Sequence, residues 1–412
     1  MKYMLGQLSS RKLEFLLLVI SISIFLPENF QSIALIITGL FTIRGLYTKN
    51  IEFGMHRTVI PFIIFCIGSI IITVVNNSNI LNNNELNIQI YMLLSFLIVG
   101  SLKLKQSILK VFISYFIIIN LIVSFFVCLD ILVLNGFLYK FFAGYLMHPT
   151  YYSILGLFSI LLVYFIDDIF RVWLLRALSI FMISLSVYLV QSKINLGLLI
   201  AILFLFVIVV GLRRVKSNSV FVLIGVSVCG LCTFMFLEKN RLSDIMKVYN
   251  LHYLLLNLFD TESIRNIQIA NPQDSVGVRL ANYAIFMLSV DNISFFGRGI
   301  GNYGNFIAEN CFNFREGYYC DYVRSFNAHN QLIQIAVELG WFGCALFILK
   351  YFFVVIECLR LKLYKFLPFL VILFSNFIFE SLYCRARGVT IVVVLIVIFF
   401  SYFKKSGSKC AA

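Results

Sequence analysis

SFNAHNQLIQIAVELGWFG, residues Ser325 to Gly343, closes the long polar loop of this chain and opens a hydrophobic helix. What lies on either side decides how it is read, and composition speaks first. Of 412 residues, 61% are hydrophobic, 16% aromatic and 13% charged, with a mean hydropathy of +0.96. Soluble domains are about half apolar and about a quarter charged, so the expected fold is an all-α polytopic membrane protein. A net charge of +14 would suggest a nucleic-acid partner in a soluble domain. Here the basic residues fall mostly in short connections between apolar runs, so no nucleic acid is expected.

Crossing a hydrocarbon core takes roughly 20 apolar residues. About twelve runs are candidates: 13–26, 30–43, 59–75, 86–102, 109–134, 149–166, 172–190, 194–212, 219–237, 331–358, 364–383 and 388–403. The predicted division is spans one to nine in 1–237, a loop with short helices in 238–330, and spans ten to twelve with a tail in 331–412. No cleavable signal peptide is expected, because Leu13 to Leu26 is followed by Pro27-Glu28-Asn29 rather than by small residues.

Orientation follows from the short connections. One side carries Lys2, Arg11 and Lys12, then Arg44, Lys49 and Arg57, then Lys103, Lys105 and Lys110, and so on to Lys404, Lys405 and Lys409. The other side's short connections hold only Lys140, Lys193, Arg385 and Arg387. Basic residues mark the cytoplasmic side, so both termini are expected inside and the long loop between spans nine and ten outside.

The external side can then be inventoried. Span six opens with His148-Pro149-Thr150-Tyr151-Tyr152, a proline in the first turn and tyrosines at the interface. In the loop, residues 251–259 form a short apolar segment suited to the membrane surface. Ser275 can start a helix through about Ser289, with Arg279 in its first turns. A glycine-rich run, Phe296 to Gly304, follows, and then an aromatic, polar passage with Phe312, Phe314, Tyr318, Tyr319 and Tyr322.

Lys193, Arg385 and Arg387 run against the positive-inside pattern at short turns, where a base has no topological use. Charges at a membrane boundary mark a partner or a substrate path. With Arg279, Arg298 and Arg324 they can surround a multiply charged anion; the plainer reading pairs them with Glu380, Asp321 or Glu309, or with lipid headgroups. His329 stands where free N–H groups and the helix dipole favour an anion. Histidine changes charge near neutral pH and can take a proton from a sugar hydroxyl. At ~100° per residue Leu332, Ile333, Ala336 and Leu339 share its face, with Gln331, Gln334 and Glu338 opposite, so a buried core histidine is the competing reading. Residues 331–358 would run ~42 Å as one helix, longer than the ~30 Å core, so its first turns are expected in an external cavity.

GRGIGNYG either cradles phosphate through its backbone or is a tight surface loop; with no preceding strand it is no dinucleotide motif. Most of the ten cysteines lie in apolar runs as small hydrophobes, while Cys311 and Cys320 share the polar loop, bridged or free. No Cys/His spacing suggests a metal, and no cofactor is expected. HExxH, nucleophile-elbow and P-loop patterns are missing, as is an external Asp-x-Asp.

Arg279 at the start of a loop helix, Gly297/Gly299/Gly301, and His329-Asn330 followed by Glu338, Gly340 and Gly343 resemble the pattern of the O-antigen ligase and polymerase superfamily of bacterial envelope glycosyltransferases. The resemblance implies a GT-C-like helical fold in the bacterial inner membrane with a periplasmic active site. It implies a donor glycan on undecaprenyl diphosphate, and as acceptor either the lipid A core (ligase) or a growing glycan (polymerase). By the same resemblance His329 and Arg279 are the catalytic candidates. Lys193, Arg279, Arg385, Arg387 and His148 are the expected diphosphate-binding set, with lysine at 193 where related ligases tend to carry arginine. The physics agrees: loss of a diphosphate from an anomeric carbon builds negative charge that fixed cations stabilise, and no metal is required. A flippase or transporter is the competing class, and the absence of two similar halves argues against it.

Overall fold

The structure, a computed structural model, describes residues 22–25, 28–47, 55, 57–76, 84–100, 102, 104–133, 148–166, 170, 172–190, 192–212, 275–311, 323–324 and 327–408. Every regular element of more than one residue among them is a helix. The apolar helices are α1 (Glu28–Tyr47), α2 (Ile60–Asn76, led in by the 3-10 turn Arg57–Val59), α3 (Asn84–Gly100), α4 (Gln106–Val133), α5 (Pro149–Phe165), α6 (Trp173–Val190) and α7 (Lys193–Leu212). Two helices of the polar loop follow, α8 (Ser275–Leu288) and α9 (Tyr303–Asn310). The chain then re-enters the bundle as α10 (Gln331–Arg360), α11 (Leu367–Phe379) and α12 (Ala386–Val393), which continues through the π-helical Val394–Phe399 into α13 (Phe400–Ser408).

Five of these helical stretches are long and apolar enough to cross a membrane, and five more are apolar but shorter. Together they fall on ten of the expected runs, so the chain is a polytopic helical membrane protein. The runs 13–26 (apart from 22–25) and 219–237, the segment 251–259, and Cys320 with the loop aromatics 312–322 lie outside the described residues.

Burial separates the helices into centre and rim. Every residue from Ala386 to Phe400 is buried, and α5 is buried without a break from Thr150 to Val163. Helices at the rim turn one apolar face outward, as Ile118, Ile122, Phe125, Phe126 and Leu129 of α4 do. Exposed apolar rows of this kind are what lipid replaces water to cover. Lipid offers no hydrophobic drive to bring helices together, so polar ties carry part of the load. Asn120 of α4 donates to Ser159 of α5 (2.9 Å), and the Tyr152 hydroxyl bridges Ser124 and Ser186 at 2.8 and 2.7 Å.

The helix starts follow local chemistry. His148 caps α5, its Nδ1 accepting from the Thr150 amide, with Pro149 at the first position where no N–H is wanted. Asn330 caps α10, its Oδ1 accepting from the amides of Leu332 (2.9 Å) and Ile333 (3.1 Å). Such a cap contributes about 1 kcal/mol.

α10 is not the single rod that hydropathy suggested. Gly340, at φ 68 and ψ −170, breaks it. Residues on either side are helical, and the 20 from Trp341 onward measure about 30 Å, a bilayer core. The break is plugged by the glycine run. Arg298 N donates to the Val337 carbonyl (3.1 Å), Gly299 N to that of Glu338 (2.7 Å), and Phe342 N to that of Phe295 (3.0 Å). Irregular backbone at this depth survives only when protein satisfies it, as here. The approach is so close that a Cβ on Gly340 would overlap the Phe295 carbonyl, and one on Gly297 (φ 69) the Glu338 carbonyl.

Candidate active site

Glu380 ends α11 in extended conformation and is the point where four other elements meet. Its Oε1 accepts from Arg279 Nη2 of α8 at 2.8 Å and from the Thr150 hydroxyl of α5 at 3.4 Å. Its Oε2 faces His329 Nδ1, just before α10, at 3.5 Å. Arg279 Nε also donates to the Phe379 carbonyl at 3.3 Å, so one guanidinium reads both side chain and backbone of the same helix end. His148, the residue before α5, adds its charge to Glu380, and Arg385, the residue before α12, acts on His148.

The electrostatics follow from this crowding. Burial alone would push the Glu380 carboxyl up. The His329 hydrogen bond and the charges of Arg279, His329 and His148 outweigh it and hold the group below the usual carboxylate value. His148 is pushed below the ordinary imidazole value, chiefly by burial; Glu380 pulls it up, and Arg385, His329 and Arg279 push it further down. A carboxylate kept charged between a guanidinium and an imidazole fixes both partners.

The backbone of His329 is held as firmly as its ring. It sits at φ 48, left-handed, which a non-glycine residue keeps only when its surroundings insist. Two chains of bonds do so. Its own amide donates to Asn327 Oδ1 (3.0 Å); Asn282 of α8 donates to the Asn327 carbonyl, and the Tyr303 hydroxyl to Asn282. The neighbouring Ala328 amide donates to Gln334, which in turn donates to Glu338 at 2.6 Å.

The predicted residues divide as follows. His148, Arg279 and His329 gather around Glu380, and Arg385 acts on His148. Lys193 is the first residue of α7; its side chain lies outside the described residues, but Asn195 two positions on donates to the Thr150 carbonyl (3.3 Å) and accepts from Asn376 (2.9 Å), so the helix start adjoins the cluster. Arg387 is buried in the first turn of α12, while Arg385 is exposed. Arg298 stands apart, paired with Glu309 and over the Phe306 ring, and Arg324 is exposed.

Two open readings are decided and one expectation is corrected in part. The amides of Arg298, Gly299, Ile300 and Gly301 go to Val337, Glu338, Thr73 and the Glu338 carboxyl, so the glycine run is a clasp on α10 and no phosphate cradle. The helical-wheel reading of α10 holds only in part. Ile333, Ala336 and Leu339 are buried as it requires, but Gln331, Gln334 and Glu338 on the opposite face are buried too, Leu332 is 39% exposed and His329 precedes the helix, because the first half of α10 is packed on both faces. Cys311, left open between bridged and free, is disulfide-bonded.

Glu380 was missed as a member of the site and entered only as a bystander for external bases. A carboxylate in an otherwise apolar run, 364–383, was the signal available, since such residues face the bundle interior and mark function.

A polytopic helical membrane protein with a histidine, an arginine and a carboxylate joined where helix ends meet is the class these observations define. The O-antigen ligase family model matches residues 177–348, so this stretch of the chain is similar to that family. Lys193, Arg279 and His329 fall inside the matched stretch; His148, Glu380 and Arg385 lie beyond it. No curated protein matches the chain.

Proposed function

We propose that the protein is an inverting, metal-independent glycosyltransferase of the bacterial inner membrane. It takes a glycan from undecaprenyl diphosphate on the periplasmic face and passes it, in the manner of an O-antigen ligase, to the lipid A core. Ligase- or polymerase-type glycosyltransfer is the activity the family implies. The observation that carries the finer reading is the Arg279–Glu380–His329 junction.

In this reading an acceptor hydroxyl attacks the anomeric carbon, a C–O bond to the sugar forms, and the C–O bond to the diphosphate breaks. His329 takes the hydroxyl proton on Nε2, since Nδ1 faces Glu380. Glu380 sets the ring orientation and balances the imidazolium that forms. Charge building on the departing diphosphate is met by Arg279 and Arg385, with Lys193 at the start of α7 alongside. Arg279 is 30% exposed on its side chain, so it stays reachable by a ligand while bonded to Glu380. One displacement inverts the anomeric centre.

The test is what accumulates in a deletion strain. Long polymer left on the lipid carrier, with bare lipid A core, supports the ligase reading. Core capped with a single repeat shifts the assignment to a repeat-unit polymerase with the same chemistry. Normal surface glycan overturns both.

A further inference from the structure

Lys350 lies at the middle of the long second half of α10, fully buried, and its Nζ has no hydrogen-bond partner among the described residues. Five aromatic rings take the place of one. The nitrogen sits 3.4 Å from the Phe65 ring centre, 4.2 Å from Tyr383, 4.5 Å from Phe347, 5.2 Å from Phe62 and 5.3 Å from Tyr351. Ring faces carry negative charge density and attract a cation, most strongly where water is absent. The rings come from α2, from α10 itself and from the turn Leu382–Cys384.

Tyr383 is the member that matters to the site. Its hydroxyl bonds that of Tyr351, and its backbone amide donates to Gln331 Oε1 at 2.7 Å. Gln331 is the first residue of α10, two on from His329; Tyr383 lies three past Glu380 and two before Arg385. The turn carrying Glu380 and Arg385 is thus tied to the helix start carrying His329 at one residue, whose ring rests on Lys350.

We propose that Lys350 is a positioning residue: through the Tyr383 ring its ammonium sets the register between the 380–385 turn and the start of α10, and so the facing of Glu380 and His329. A purely apolar core would fill the same volume but would not gather five ring faces about one point. The proposal rests on the reading of the Glu380–His329 junction as the reacting site.

Its test compares Lys350→Met, which keeps an unbranched stem without charge, with Lys350→Arg, which keeps the charge. Two measurements on purified protein in nanodiscs separate the possibilities. Hydrogen exchange of residues 380–385 and 329–331 is expected to speed up in Lys350→Met and stay near wild type in Lys350→Arg. In transfer from lipid-linked glycan, Lys350→Met is expected to lose roughly 10- to 100-fold in kcat with KM for the donor unchanged, the effect of small misplacement. Unchanged exchange in Lys350→Met overturns the positioning role, as does equal loss in both variants. Faster exchange with intact kcat overturns the assignment of the reacting site and leaves the positioning standing.

Discussion

Replacing Glu380 by glutamine keeps the shape of the side chain and removes its charge. The carboxylate is 15% exposed and accepts from Arg279 at 2.8 Å, from Thr150 at 3.4 Å, and faces His329 at 3.5 Å. A hydrogen bond to a charged group contributes about 1.5–3 kcal/mol, and Arg279, 30% exposed, recovers part of its hydration once released. The folded state should therefore lose about 1–2 kcal/mol, too little to unfold a protein held by so extensive a helical core. The rate is affected more. Glu380 sets which nitrogen of His329 faces the acceptor and stabilises the imidazolium, and a positioned general base contributes about 10²–10⁴-fold. A kcat loss of about 10²–10³-fold, or ~3–4 kcal/mol of barrier, is expected. KM for the donor should hold or fall, because Arg279 loses the carboxylate that competes with the diphosphate. The assay is transfer from a lipid-linked glycan in proteoliposomes, with thermal unfolding in the same detergent as the control for folding. A Glu380→Gln enzyme with kcat within about threefold of wild type, or one whose KM alone rises, would refute this reasoning, since the second pattern marks uniform binding.

Arg279→Ala and His329→Ala are expected to abolish long-chain surface glycan without lowering the amount of protein in the membrane, read by gel profile and immunoblot. Gly340→Ala should destabilise by roughly 2–5 kcal/mol, from left-handed strain plus overlap with the Phe295 carbonyl, measured as a fall in unfolding temperature; Gly343→Ala lacks the left-handed strain, and its added Cβ overlaps only the Leu339 side chain. Acid should loosen the site through His148. Its folded-state value lies below the unfolded one of about 6.5, so its contribution is fully present above that pH and is lost as pH falls below it. Stability should decline from pH 7 towards pH 5, and His148→Asn, which still caps α5, should flatten that slope. Glu380, also held low, enters only below about 4.5.

Helix positions were readable because hydrophobic length and caps are local. His148-Pro149 starts α5 where the residues say it must, and α8 runs Ser275–Leu288 against an expected Ser275 to about Ser289. The wheel for α10 misled in part because this half-helix is buried on both faces: Ile333, Ala336 and Leu339 turn inward as expected, but so does the polar row Gln331, Gln334, Glu338, which bonds the glycine run and the turn at Tyr383, and Leu332 turns out. Nor does hydropathy see the break at Gly340, since a glycine in an apolar run scores like any tolerated residue until a second backbone is known to press against it.

By itself, then, the chain's sequence determined that it lives in a membrane as a set of helices, where most of these helices begin and end, and which bases and histidine stand at their ends. Only the tertiary structure decided that Glu380 is the centre they share, that the glycine run clasps a broken helix, and that Lys350 is walled by rings. The physical reason is distance along the chain. Arg279 and Thr150 reach Glu380 across 101 and 230 residues, and no periodicity or motif carries information over such a span until the helices pack.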